Sequence, residues 1–173
     1  MQFGIQQEAR FSVTALSGGI IYTATATLTG AGPVTTQFRT PGFTADPAAI
    51  RAMLAAAKIY VGDLGILVDA AQAVVDADSE AFRLARARVA TELLAAHRSY
   101  FQLGVTASEA NIHQSPYNEL RSIWQQVQSD TRSYQIELGP TPGPRELGLR
   151  FAMNARDDAQ RLVAALEAVL RSL

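Results

Sequence analysis

The strongest constraint in this sequence is a heptad-like apolar pattern running from Asp46 to Ala77. One line of it reads Ile50, Ala57, Leu64 and Ala71. A second reads Met53, Tyr60, Leu67 and Val74, and a third beside it reads Leu54, Val61, Val68 and Val75. Three apolar positions in every seven make a stripe wide enough to face the core of a helical bundle. Asp46-Pro47 supplies the start: a carboxylate able to cap the first free N–H groups, then a proline where no N–H is needed. Gly62 and Gly65 are the weak points, because each costs about 1 kcal/mol against alanine inside a helix. The rival reading is a β-hairpin turning at Gly62-Asp63. The helix is preferred because the seven-residue phase before Gly62 continues unbroken after Gly65, and a hairpin has no reason to keep it.

The phase fails near Asp78. Continued, it would bury Asp78, Arg88 and Glu92, which is too costly for unpaired charges. A turn is therefore expected at 76–79, with Asp78 or Ser79 capping a second helix over 79–103. Its apolar face is Phe82, Val89, Leu93, Ala96, Tyr100 and Leu103, and Gly104 is the expected stop. Residues 104–115 read as a connection in which Thr106-Ala107-Ser108-Glu109 has capping-box spacing. Ser115-Pro116 opens a third helix facing inward through Leu120, Ile123, Trp124, Val127, Thr131, Tyr134 and Leu138. The segment from Gly139 to Pro144 is a rigid loop, and Pro144 suits the first position of a fourth helix. That helix carries a stripe of Leu147, Phe151, Ala155, Ala159, Leu162, Leu166, Val169 and Leu173. Asp157, Asp158, Arg161 and Arg171 are expected to face outward.

Residues 1–45 differ in texture. They are rich in Thr, Gly and Ser and hold only Glu8, Arg10 and Arg39 as charges. Alternation around Phe11 and Val13, from Ile21 to Thr29, and from Val34 to Arg39 reads as three strands. The expected fold class is therefore α+β: an N-terminal antiparallel β-meander followed by an up-down four-helix bundle. Residues 1–45 form the β region and residues 46–173 the bundle, expected to behave as one cooperative domain.

Charge excludes some partners. The net charge is −1 and no stretch is strongly basic, so neither nucleic acid nor an anionic membrane is indicated. No uncharged apolar run is long enough to span a bilayer. The first residues show neither a basic n-region nor an apolar h-region, so a cytoplasmic or particle-associated chain without a signal peptide is expected. The absence of cysteine excludes disulfides, thiolate metal sites and cysteine nucleophiles.

The chemistry-bearing residues do not assemble into a motif. His97 and Glu92 are five apart, hence on different helix faces, and no paired-histidine spacing exists for a metal. His97 and His113 read as surface or interface histidines. Lys58 is the only lysine; it reads as a side chain extending to solvent rather than a Schiff-base nucleophile. Arg83, Arg86 and Arg88 could grip a phosphate or carboxylate, or form a solvated face offset by Asp76, Asp78 and Glu80. The glycine turns at 17–19 and 30–32 lack the Lys-Ser/Thr of a phosphate loop. No catalytic residue, metal or cofactor is expected.

The function expected from these residues is that of a non-enzymatic structural or assembly subunit, of a virion, a secretion apparatus or a similar particle. It would self-associate, or join other protein subunits, through the N-terminal β region, helix faces, or both. Thr23, Thr25, Thr27, Thr29, Val34 and Phe38 are the expected interface residues, because strands so poor in charge are poorly defended against edge pairing. A threonine row can also order water on an ice-binding face, but only one row is visible. The alternative is a small-molecule binding or regulatory module with its pocket in the helical bundle.

Overall fold

The structure, a computed structural model, describes residues 8–16, 19–27, 34–39, 46–114 and 117–173, with side chains described from residue 46 onward except at Gln114. The chain divides into two compact units, Met1–Ala45 and Asp46–Leu173. In the first, the backbone forms strands β1 (Glu8–Leu16), β2 (Gly19–Thr27) and β3 (Val34–Arg39), antiparallel in that order. The second contains α1 (Pro47–Asp76), α2 (Phe82–Glu109), a 3-10 turn (Ile112–Gln114), α3 (Asn118–Glu137) and α4 (Arg145–Ser172).

The expected α+β class, with a meander leading into the bundle as one fold, is corrected. The part described with its side chains is 86% helix and 0% strand: a four-helix bundle with no sheet in it. The physical reason lies in α1. Its first two apolar lines, Ile50-Ala57-Leu64-Ala71 and Met53-Tyr60-Leu67-Val74, are wholly buried, and its third is half-buried apart from the buried Val68. Helices α2 and α4 close these stripes. The core of this unit is built from helical apolar surface.

The start of α1 follows its sequence signals. The Asp46 side chain accepts a hydrogen bond from the Ala48 N–H at 2.9 Å, and Pro47 is the first helical residue. The helix passes through Gly62 and Gly65 without a break, which excludes the hairpin. A Cβ built at either glycine meets nothing within 4 Å, so both lie away from packed neighbours.

In the next turn, Asp78 accepts from the Glu80 and Ala81 N–H groups at 3.1 and 2.9 Å. The expected stop of α2 at Gly104 is also corrected. The helix continues to Glu109, and the supposed capping box at 106–109 is its last turn. Leu103, Thr106, Ala107 and Ala110 are all buried, so core burial outweighs one interior glycine. The true stop is Asn111, whose φ of 53° is the left-handed conformation that asparagine tolerates after a helix. The expected start of α3 at Ser115-Pro116 lies outside the described residues.

The bundle is up-down. Lys58 in α1 pairs with Glu167 near the end of α4, and Arg145 at the start of α4 donates to the Val74 and Ala77 carbonyls at the end of α1. The turn between α3 and α4 is tight: a Cβ on Gly148 would lie 2.5 Å from a Leu138 methyl. Backbones approach closely between α1 and α2, α1 and α4, and α3 and α4. Helices α2 and α3 instead meet through side chains. Tyr100 stacks on Trp124 with ring centroids 6.2 Å apart, and Gln135 Nε2 lies 3.0 Å from His97 Nδ1. The α2–α3 seam is therefore the wide side of the bundle.

Candidate functional site

Besides Ser99 and Thr106, which donate to carbonyls of their own helix, two polar groups stand inside this apolar core. The first joins α1 to α3. Thr131 donates to the Val127 carbonyl at 2.8 Å. Its single hydroxyl hydrogen being used, it must accept from Tyr60, 2.6 Å away. Tyr60 in turn must accept from Tyr134 at 2.7 Å. The chain therefore has one direction, Tyr134 to Tyr60 to Thr131 to Val127, and every buried donor in it is satisfied. Burial and the neighbouring phenol push the Tyr60 hydroxyl far above its ordinary pKa. Burial likewise raises Tyr134, to about 12. The hydroxyl chain ties α3 to α1 across the core.

The second is a carboxyl pair that the sequence did not reveal. Asp130 of α3 is 8% exposed, and Gln126 Nε2 donates to its Oδ1 at 2.9 Å, while its Oδ2 meets no donor. Burial, and then the Asp158 carboxyl nearby on α4, push Asp130 up to about 6. Asp158, expected to face outward, is turned instead toward Asp130 and held by Arg161 Nη1 at 2.9 Å. No group of three or more metal-ligating side chains exists among the described residues. A lone carboxyl pair fits a shared proton better than a metal.

The other residues singled out by the sequence stay apart. Lys58 and Glu167 form a 3.1 Å ion pair with both side chains exposed, so the lysine lies in no pocket. His97 accepts from Gln135, and His113 is exposed on the 3-10 turn. Arg83 and Arg88 are exposed, whereas Arg86 is half-buried and reaches the Gly139 carbonyl at 3.4 Å. No ion pair joins these arginines to Asp76, Asp78 or Glu80 among the described residues. Of the expected interface residues, Thr29 lies outside the described residues. Thr23, Thr25 and Thr27 belong to β2, and Val34 and Phe38 to β3, where the side chains are outside the description.

What the surface does bring together is apolar. Leu84, Ala87, Thr91, Leu94, Arg98, Phe101 and Val105 follow one another along α2 at alternating spacings of three and four, on the side away from the core. Leu84 is 79% exposed, Phe101 68% and Leu94 51%. On α1, Ala52, Ala55, Ile59, Gly62 and Ile66 make a second outward stripe, in which Ile59 is 62% exposed. Two clefts border α2. One, of about 660 Å³, lies between α1 and α2 beside Leu84, Ala87 and Thr91. The other, of about 500 Å³, lies in the α2–α3 seam. Both open to solvent. The signal for the outward stripe lies in the sequence, because α2 carries two apolar sets in different phases, one facing the core and one facing out. Comparison with family models, curated proteins and solved structures finds no match.

Proposed function

We propose that this chain is a non-enzymatic assembly subunit that self-associates through the outward face of α2, with the neighbouring stripe of α1 at its margin. The observation that supports the reading is the exposed heptad of α2. It is a three-four repeat, apolar at five of its seven positions with Thr91 and Arg98 at the others, and such a repeat is the pattern by which one helix seats its side chains between those of another. An exposed patch of this kind ordinarily marks a contact surface.

The pattern favours a second copy of the chain as the occupant, because the stripe is self-complementary. In an antiparallel pairing centred on Leu94, Ala87 of one copy stands at the height of Phe101 of the other, and Leu84 stands close to Val105. A large side chain then meets a small one, and the two ends of the stripe close apolar on apolar. Arg98 stands near Thr91, which introduces no like-charge contact.

The test is the mass in solution by light scattering over a range of concentrations. The wild type is expected to exceed the mass of one chain. The double variant Leu94→Glu, Phe101→Glu is expected to fall to that mass while keeping its helical circular dichroism, since both side chains are exposed. A wild type that stays monomeric at high concentration would remove the reading.

A further inference from the structure

We propose that the cleft in the α2–α3 seam binds an amphiphilic carboxylate, a molecule with an apolar body and one acid group, whose acid end lies against Arg86. This inference does not rest on self-association. The seam is the side of the bundle where backbones stay apart, so the opening follows from the helix arrangement. Its volume of about 500 Å³ falls within the range that holds small ligands.

The lining sorts into two kinds of chemistry. Ala90, Leu93, Leu94, Leu138 and Pro140 supply apolar walls. Arg86, Ala90, Leu93 and His97 run along one line of α2, placing a guanidinium at one end and an imidazole about 16 Å further on, at 1.5 Å per residue. Among the described residues, no carboxylate lines the cleft. Half-buried Arg86, among the described residues, has no ion-pair partner and uses its guanidinium only for the long bond to the Gly139 carbonyl. The remaining donors of its planar fork match a carboxylate. Glu137 shares with Arg86 a separate recess of about 140 Å³ behind Leu138, without pairing to it. Gln135 donates to His97 Nδ1, so the other imidazole nitrogen is left to carry its hydrogen. Both ends of the cleft thus offer donors, and a cationic amphiphile would find no counter-charge.

The experiment is titration calorimetry of the full chain with dodecanoate and, separately, with dodecyltrimethylammonium, both below their micellar concentrations. Dodecanoate is expected to bind saturably, one per chain, at least tenfold more tightly than the ammonium. Arg86→Met should reduce that preference to less than threefold. Arg83→Met, an exposed arginine outside the cleft, should leave it unchanged. Ala90→Trp fills the cleft from an exposed position and should abolish dodecanoate binding while circular dichroism stays that of the wild type. Equal affinity for the two amphiphiles, no saturable binding of dodecanoate, or full binding by Ala90→Trp would each overturn the proposal. So would an equal loss in Arg83→Met and Arg86→Met, since general charge would then explain the preference.

Discussion

The one-way hydroxyl chain between α1 and α3 makes a sharp prediction about two substitutions that look alike. Tyr60→Phe removes the middle of the chain. It deletes the bonds at 2.6 and 2.7 Å and leaves the buried Tyr134 O–H without its Tyr60 acceptor. Each of the two bonds contributes about 1 kcal/mol net, and an orphaned buried donor costs about 1–3 kcal/mol, so the bundle should lose roughly 3–5 kcal/mol. Tyr134→Phe removes only the end. Tyr60 still donates to Thr131, and no donor is orphaned, so the loss should be about 1 kcal/mol or less. In the double variant no Tyr134 hydroxyl is left to orphan, so its cost should fall below the sum of the singles. Urea unfolding followed by Trp124 fluorescence measures all three, with the slope unchanged between variants. If Tyr134→Phe costs as much as Tyr60→Phe, or the double variant is additive, the assigned direction is wrong.

Other expected outcomes follow from the same structure. Gly65→Ala should stabilise the bundle by about 0.5–1 kcal/mol, because the added methyl meets no neighbour and the unfolded chain loses freedom; a thermal melt reads this as a higher midpoint. Asp130, raised from 3.8 to about 6, favours the folded state when protonated. Its contribution is therefore full below about pH 4 and is lost as pH rises through 6, on the order of 1–3 kcal/mol. Asp130→Asn should remove that component from the stability–pH curve and raise stability at pH 7. Lysines at Thr25 and Thr27 test the N-terminal interface residues. If that segment joins the contact, the double variant should weaken association without changing helical circular dichroism, and an unchanged dissociation curve would set those residues aside.

The core of the bundle was largely legible because it depends on period and capping, which are local. Asp46, Pro47 and the two buried lines of α1 could be read directly, and so could the inward face of α3 from Leu120 to Leu138. The misreadings have common physical roots. Gly104 looked like a stop because glycine is the usual C-terminal residue. The real decision lay with the burial of Leu103, Thr106, Ala107 and Ala110, and with Asn111 taking the left-handed turn. The α+β class came from giving the Ala–Thr alternation before residue 45 the same weight as the large apolar residues of the helices. Those helices build the core of their unit from their own apolar surface. Asp130 and Asp158 could not be paired from sequence, because their meeting depends on the register between α3 and α4. The outward stripe of α2 is legible in the sequence as a second apolar set, out of phase with the core-facing one.

The most direct test of the assembly reading uses the absence of cysteine from the chain. A single Leu94→Cys places the only thiol at the centre of the proposed antiparallel contact, where the same residue of a second copy stands opposite. Mild oxidation at low concentration should convert most of this variant to a disulfide-linked dimer. Asp157→Cys, exposed on α4, should stay largely monomeric under the same conditions. If the two variants cross-link to the same small extent, α2 is not the contact between copies.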